Sequence, residues 1–204
     1  MRVLVACEFS GIVRDAFKAR GHDVMSCDLL PTEKPGPHYQ GNVFDIIDAN
    51  WDMMIAFPPC THLAVSGAQH FEEKIKDGRQ AFGMSFFMKL AKSDIYRIAI
   101  ENPVGIMSKF WRKPDQIIQP YYFGDEAQKT TCLWLKGLKP LTHSKDNDLF
   151  YKKTHVNPGE FVYWKDAKTG KRKRMPKWYS DNKKSSVRSR TFTGIAQAMA
   201  DQWG

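Results

Sequence analysis

The sequence lacks the features that would place it in a membrane, secreted or metal-binding class. No apolar run approaches the roughly 20 residues that span a bilayer, and the first run is short and meets Glu8 at once, unlike a signal peptide. No CxxC pair is present, so neither a zinc knuckle nor a disulfide framework is indicated, and we predict no metal. The cysteines stand singly, at Cys7, Cys27, Cys60 and Cys132. We expect one well-packed domain, with at most a small appendage, in a reducing cytoplasm.

The G-x-G-x-x-G loop of dinucleotide-binding proteins is also missing. The apolar run RVLVAC leads into CEFSG, where Gly11 is the one glycine before Ile12. A pyrophosphate cradle needs more glycine than this, which argues against NAD and leaves room for a cofactor without phosphates. An acidic side chain about 20 residues downstream can hold ribose hydroxyls, and Asp28 stands near that spacing. The combination suggests an adenosine-containing cofactor.

Short apolar runs alternate with helical periodicity along the first two-thirds of the chain. Strands are predicted over 2–7, 22–28, 51–57, 96–102 and 130–138, and helices over 12–21, 79–93 and 193–203. This alternation is typical of βαβ units with a mostly parallel sheet and right-handed crossovers, so the predicted fold class is α/β. In open sheets of this kind, ligands bind beyond the carboxyl ends of the strands.

The net charge of +9 is concentrated in one segment. Residues 139–190 hold fifteen Lys and Arg against five Asp and Glu, a local charge of +10 that leaves the rest of the chain at −1. The segment also holds the aromatic residues Phe150, Tyr151, Phe161, Tyr163, Trp164, Trp178 and Tyr179. Basic and aromatic side chains together suit a polyanion with stackable bases, although a solvated lysine-rich surface has the same composition.

We therefore predict that 139–190 is a small basic insertion that contacts nucleic acid. The catalytic, cofactor-binding domain would then comprise 1–138 and 191–204. The candidate nucleic-acid contacts are Lys171, Arg172, Lys173, Arg174, Lys177, Arg188 and Arg190.

Two prolines fix the backbone directly before a cysteine in FPPC, at residues 57–60. A rigid loop at a strand end can hold a thiol within the tolerance of covalent catalysis, so Cys60 is a candidate nucleophile. A buried strand-end cysteine is the structural alternative. The next predicted strand ends in IENPVG, where Glu101 is either a catalytic carboxylate or a helix-capping group. A thiol and a carboxylate at neighbouring strand ends favour the functional interpretation.

Together, EFSG, PPC and ENP resemble, in order and spacing, the motifs of the DNA cytosine C5-methyltransferases. GNVFDI at 41–46 is similar to the cofactor-adenine motif of that family, and AQKTTCLWL at 127–135 stands where a Q-x-R-x-R strand is usual. RTFTGIAQAMA at 190–200 more faintly resembles the final helix motif. The likeness is strongest to short phage-type members that read PPCTHLxxSG. It implies a Rossmann-like S-adenosylmethionine-dependent methyltransferase sheet with helices on both faces.

The resemblance implies a methyl transfer to C5 of cytosine with S-adenosylmethionine as cofactor. Cys60 would add to C6 as a thiolate, and Glu101 would hold and protonate N3. Lys129, the basic residue nearest to the places of the arginines in Q-x-R-x-R, would contact the base or thiolate. The implied cofactor-binding residues are Cys7, Glu8, Phe9, Ser10, Gly11, Asp28, Leu29, Asn42, Val43, Asp45 and Pro58. The implied partner is double-stranded DNA with the target cytosine flipped out of the helix, with no membrane and no obligate protein partner.

The chain departs from the family pattern at several positions. The loop FSGIVR lacks the usual second glycine, and Asn42 stands where an acidic residue is usual, so adenine contact falls to Asn42 or to Asp45. The arginines of Q-x-R-x-R are absent, and the insertion is small for a target-recognition domain. Two alternatives stay open. One is the same pyrimidine chemistry on RNA or a free nucleotide, and the other is a non-catalytic binding protein on a degenerate methyltransferase fold.

Overall fold

The computed structural model describes residues 1–147, 152–167 and 169–204, so Phe150 and Tyr151 of the predicted aromatic set lie outside the described residues. One sheet is formed by seven strands, β1 (Arg2–Ala6), β2 (Asp23–Asp28), β3 (His38–Gln40), β4 (Met53–Ala56), β5 (Arg97–Pro103), β6 (Gln116–Ile118) and β7 (Thr131–Lys136). Their spatial order is β3-β2-β1-β4-β5-β7-β6. The strands β1 to β5 pair in parallel, and β7 runs antiparallel to β5 and to β6.

The helices of the described residues are α1 (Ile12–Ala19), α2 (Phe71–Lys76), α3 (Arg79–Ala91), α4 (Met107–Phe110), α5 (Lys177–Asp181), α6 (Ser185–Ser189) and α7 (Thr193–Trp203). Of these, α1 and α7 pack on one face of the sheet, and α3 and α4 pack on the other. Within the described residues, none of them combines the length and the apolar character that crossing a membrane requires. The Rossmann-like α/β class predicted from the sequence is confirmed.

Alternation along β1 divides the core between the two faces. Val3 and Val5 pack with Phe17 of α1 on one face, where α7 also lies. Leu4 packs with Phe87 of α3 on the other face. Because consecutive side chains of a strand point to opposite faces, a run that is apolar throughout belongs to a strand buried on both sides. The run RVLVAC predicted a strand, and β1 is buried on both faces because it lies between β2 and β4 and under helices on either side.

A separate two-stranded sheet is formed within the basic segment by β8 (Phe161–Lys165) and β9 (Arg172–Pro176). We refer to β8 and β9 as the hairpin. Tyr163 lies opposite Arg174, and most hairpin side chains are exposed. The division of the chain at 139 and 190 stays a prediction, since backbone groups at the start of the segment also contact α7, as in the bond from Trp203 Nε1 to the Lys139 carbonyl oxygen at 2.8 Å.

Most predicted elements are present, but β3, β6 and the hairpin were not predicted. β3 and β6 have three residues each, too few to show a period of two. β9 reads RKRMP and belongs to a separate sheet. Its charged residues show no apolar alternation, so the sequence pattern did not indicate a strand. Gly194 lies in the first turn of α7, and the sequence alone does not show that this position has no room for a side chain.

Gly194→Ala should destabilise the fold through a clash with backbone. An added Cβ would lie 1.8 Å from the carbonyl oxygen of Phe123 and 2.7 Å from Oδ2 of Asp125, which accepts a bond from the Gly194 amide at 2.8 Å. Backbone oxygen cannot yield as a flexible side chain can, so we expect the free energy of unfolding to fall by about 1–3 kcal/mol in urea denaturation.

Gly21→Ala is the control for this substitution. Gly21 has a φ of 81°, but nothing lies within 4 Å of an added Cβ. Only the left-handed backbone is then penalised, at roughly 1 kcal/mol. Equal losses for the two variants would contradict a clash at Gly194.

Candidate active site

Two adjoining cavities open at the carboxyl ends of the parallel strands, each of about 500 Å³. The cavity that contains Cys60, Glu101 and Lys129 is called the thiol cavity. The other, which contains Val43, Phe44, Phe82 and Phe86, is called the apolar cavity. Cys7, Asp28 and Pro59 line both, so the two cavities adjoin across the ends of β1 and β2.

The loop that carries Cys60 is tied to the neighbouring strand. Asn102, which is buried within β5, donates from Nδ2 to the Pro58 carbonyl oxygen at 2.8 Å. The two prolines restrict the backbone of the loop, and this bond fixes the position of the loop relative to β5. After Cys60 the chain turns sharply, because the amides of Leu63 and Ala64 both donate to the Cys60 carbonyl oxygen at 2.9 Å. The thiol is thus presented at a fixed point beside Glu101.

The electrostatics of the pair are set by burial and by one cation. Burial raises the pKa of the Cys60 thiol, Glu101 raises it further, and Lys129 lowers it. Burial also raises the pKa of Glu101, again with Lys129 acting in the opposite direction. In the protein without ligands, burial therefore favours a neutral thiol and a neutral carboxyl group. Lys129 is the positive charge that offsets burial at both groups.

The far wall of the thiol cavity comes from the basic segment. Tyr179 on α5 and Arg188 on α6 line it, and so does Lys183 between them. Lys129 donates from Nζ to the Arg188 carbonyl oxygen at 2.8 Å. The catalytic residues predicted from the resemblance, Cys60, Glu101 and Lys129, are therefore brought together, and the predicted insertion closes the space around them.

Several predicted cofactor residues line these cavities. Cys7, Glu8, Phe9, Ser10, Asp28 and Pro58 line the thiol cavity, and Leu29, Asn42 and Val43 line the apolar cavity. Cys7 has a φ of 59° at the end of β1, a left-handed conformation that is uncommon for a residue with a side chain. Strain of this kind is found where surrounding structure holds the backbone in place for a site.

Glu8 serves the start of α1. Its Oε1 accepts bonds from the Val13 amide at 2.8 Å and from Ser10 Oγ at 3.0 Å, so the carboxylate satisfies an amide in the first turn of the helix. Burial raises the pKa of Glu8, while these bonds lower it. The helix N-terminus is thereby satisfied by the protein itself, in keeping with a cofactor that brings no phosphate.

Gly11 and Asp45 lie outside both cavities. Gly11 has a φ of 72°, and an added Cβ would meet the Arg14 guanidinium at 2.4 Å, so its glycine makes room for Arg14. That buried guanidinium bonds Thr32 Oγ1 at 3.0 Å and the Lys34 carbonyl oxygen at 3.0 Å, which anchors the loop after β2. Asp45 accepts a bond from the Tyr39 hydroxyl at 3.1 Å.

Asn42 uses its side chain locally. Its Oδ1 accepts a bond from the Phe44 amide at 3.1 Å and caps the short 3₁₀ turn Val43–Asp45. This bond leaves the side-chain NH₂ group of Asn42 as the donor at the edge of the apolar cavity. Of the two residues considered for an adenine contact, Asn42 and Asp45, only Asn42 lines that cavity.

The predicted nucleic-acid residues divide into two groups. Lys171, Arg172, Lys173 and Arg174 lie on or next to the hairpin, where the guanidinium groups of Arg172 and Arg174 lie 4.5 Å from the rings of Tyr163 and Phe161. Lys173 pairs with Asp166, and Lys177 with Glu160 at 3.0 Å. Arg188 and Arg190 lie near the cavities instead, and Arg190 pairs with Glu33 at 2.6 Å.

Sequence reasoning missed the residues that reach the cavities from helices. Phe82 and Phe86 are one helical turn apart on α3 and line the apolar cavity with His62. Phe86 packs edge-on against Phe44, with ring centroids 5.2 Å apart. Apolar side chains at this spacing indicate a core-facing stripe equally well. The exposure of Phe82, 71%, distinguishes it from a core residue.

Comparisons with known proteins find distant likenesses among solved structures. No protein-family model matches the sequence, and no curated protein matches it. Among solved structures, the chain is similar to a methyltransferase of Entamoeba histolytica, with 13% identity and a TM-score of 0.49. The similarity covers 77% of this chain and 57% of that chain, so this chain spans little more than half the length of that methyltransferase. A likeness at this level does not identify an activity, which has to be argued from the site.

Asn102→Ala should loosen the Cys60 loop and destabilise the protein. The substitution leaves the buried Pro58 carbonyl oxygen without its donor, a loss of about 1–3 kcal/mol in the free energy of unfolding. Urea denaturation measures this loss.

The control is Gln197→Ala, which removes an exposed bond to Asp201 Oδ1. It should stay within about 0.5 kcal/mol of the unmodified protein. If Asn102→Ala costs no more than this control, the bond to Pro58 does not hold the loop.

Proposed function

We propose that the protein is an S-adenosylmethionine-dependent methyltransferase that acts on C5 of cytosine in double-stranded DNA. The observation that carries the proposal is the thiol cavity, where Cys60 and Glu101 stand at the ends of adjacent parallel strands with Lys129 beside them. A thiol and a carboxyl group around one space suit a pyrimidine, since one can add to C6 and the other can bond N3.

The residues around the two cavities fit the cofactor. Phe44, Phe82 and Phe86 give the apolar cavity aromatic walls for an adenine ring, and Asp28 at its border suits the hydroxyls of a ribose. Asp28, which lines both cavities, also gives their border a negative charge that suits a sulfonium ion. When bound, S-adenosylmethionine would supply an electrophilic methyl group to the thiol cavity.

In the proposed reaction, Glu101 and Cys60 together make C5 of the cytosine nucleophilic. Burial favours the protonated form of Glu101, which can donate a hydrogen bond to N3 of a neutral cytosine. When the Cys60 thiolate forms the S–C6 bond, the C5=C6 pair moves into the C4–C5 bond, the C4=N3 pair moves onto N3, and N3 takes the proton of Glu101. The resulting enamine makes C5 nucleophilic. After transfer, a base or water removes the C5 proton, the C5=C6 bond forms again as the S–C6 bond breaks, and the proton on N3 returns to Glu101.

The basic segment supports a polymer as substrate. Within this segment of local charge +10, the hairpin and the residue before β9 present exposed basic side chains, namely Lys165, Lys171, Arg172, Lys173 and Arg174. Backbone phosphates supply affinity for such a surface, and a two-stranded ribbon has dimensions that the major groove admits. A base inside a duplex can reach the thiol cavity only if it is flipped out of the stack.

Cys60→Ala should abolish methyl transfer to DNA. Labelled S-adenosylmethionine and duplex DNA are incubated with the protein, and the DNA nucleosides are then analysed by mass spectrometry, which reports the modified base and the added group. We expect 5-methylcytosine with the unmodified protein and none with the variant, because no thiolate can add to C6. DNA containing 5-fluorocytosine should form a covalent adduct with the unmodified protein only, since fluorine at C5 blocks elimination.

Cys132→Ala is the matched control, because Cys132 is a buried free cysteine outside both cavities and should be dispensable. Cofactor binding without any adduct would refute the proposed chemistry. Methyl transfer to tRNA or to dCMP in preference to duplex DNA would show that DNA is not the substrate, while the proposed chemistry would still hold. Full function of Cys60→Ser would favour a non-catalytic binding protein.

Lys171→Ala should weaken DNA binding in a salt-dependent way. Lys171 is exposed beside β9, where a lysine can pair with a phosphate. Loss of one phosphate contact should lower the slope of log K against log salt by about 0.9, with similar losses for all DNA sequences. Fluorescence anisotropy across a salt series measures the slope.

The control for charge alone is Lys18→Ala, at the exposed end of α1 and away from the hairpin. It should leave the slope unchanged. The same slope for Lys171→Ala and the unmodified protein would remove Lys171 from the DNA interface.

A further inference from the structure

Arg188 is committed to contacts within the protein, although its charge and its position in the basic segment predicted a nucleic-acid contact. Its Nη2 donates to the Tyr179 carbonyl oxygen at 2.8 Å, and its Nε donates to the Asn182 carbonyl oxygen at 2.5 Å. Its guanidinium carbon lies 4.7 Å from the centroid of the Tyr179 ring. The guanidinium therefore holds α5 and the turn that follows it, and we refer to these contacts of Arg188 with Tyr179 and Asn182 as the clamp.

The backbone of Arg188 holds a second group. The Lys129 ammonium donates to the Arg188 carbonyl oxygen at 2.8 Å. Lys129 is the cation that lowers the pKa of both Cys60 and Glu101 against the effect of burial. A displacement of α6 would therefore move the charge on which both reacting groups depend.

Charged and titratable groups surround the thiol from every element that borders the cavity. Glu101 on β5 opposes the thiolate, and Lys129 before β7 favours it. Tyr179 on α5 is half-buried, and burial raises its pKa, so its hydroxyl stays neutral. The remaining charged side chains that line the cavity are Glu8, Asp28, Lys183 and Arg188.

We propose that Arg188 is a positioning residue of the active site, which fixes Tyr179 and Lys129 around the thiol rather than binding a phosphate. Through it, the segment that carries the nucleic-acid-binding hairpin also sets the position of the cation beside Cys60 and Glu101. The catalytic meaning of this clamp rests on the proposed function, but the clamp itself is a property of the protein without ligands.

Arginine and lysine differ sharply at such a position. A guanidinium can lie flat on a ring while it donates to two carbonyl oxygens, and an ammonium cannot do both. A phosphate contact, in contrast, is largely preserved by lysine, because it depends on charge. Arg188→Lys therefore separates the two roles.

The test measures the pH profile of Cys60 alkylation by iodoacetamide, without cofactor and without DNA, with peptide mass spectrometry to identify the modified cysteine. The rate rises with pH as the thiolate forms. We expect Arg188→Ala and Arg188→Lys each to shift this rise upward by about one pH unit, or about tenfold slower alkylation on the rising limb. The reason is that Lys129 is no longer held near the thiol.

Lys129→Gln should give the same shift, and its combination with Arg188→Lys should give no more than either substitution alone. Arg172→Ala, which removes the same charge from the hairpin, should leave the profile unchanged. A profile for Arg188→Lys equal to that of the unmodified protein, or additive shifts in the double variant, would overturn the proposal.

Lys129→Gln leaves the bonds of Arg188 to α5 in place, so it keeps the comparison with Arg188→Lys available if Arg188→Ala does not fold. Failure of methyl transfer, with the alkylation shifts intact, would refute the proposed function and leave the clamp. Loss of the shifts, with methyl transfer intact, would refute only the clamp.

Discussion

The parallel pairing of β4 with β5 is the constraint on which the rest of the site depends. Because both strands end at the same edge, the loop after β4 and the last residues of β5 have to meet there. One bond, from Asn102 to the Pro58 carbonyl oxygen, converts this proximity into a fixed geometry. The loop determines the position of Cys60, and β5 determines the position of Glu101. The two side chains are therefore placed side by side, and neither position depends on a contact between them.

A site built in this way faces an electrostatic difficulty. Recessing a thiol and a carboxyl group side by side favours their neutral forms, since burial penalises each charge and the two charges oppose one another. A neutral carboxyl group suits a neutral pyrimidine, but a neutral thiol is a poor nucleophile. Lys129 offsets burial at both groups, since it lowers the pKa of the thiol and of the carboxyl group, and it thereby supplies the cation that the reactive thiolate needs.

Much of the sheet and part of the site could be predicted from the sequence. The apolar runs that end near Ala6 and Ala56 predicted strands, and the prolines before Cys60 predicted a rigid loop at a strand end next to that of Glu101. Lys129 came only from the resemblance. Tyr179 and the clamp by Arg188 could not be predicted, because the bonds that bring them to the site run through backbone carbonyl oxygens. Every residue has such an oxygen, so no residue type in the sequence marks it.

The same property allows a basic segment to border the thiol cavity and, in the proposed function, to contact DNA as well. Its exposed side chains carry charge outward on the hairpin, while its backbone oxygens face the cavity at α5 and α6. In the proposed function the exposed side chains of the hairpin contact the polymer, whereas the backbone oxygens that hold Lys129 and Arg188 do not depend on the identity of those side chains. Arg188 is the exception, since its planar side chain is needed on the inside. This division between outward charge and inward backbone lets so short a segment border the thiol cavity and, in the proposed function, contact DNA at the same time.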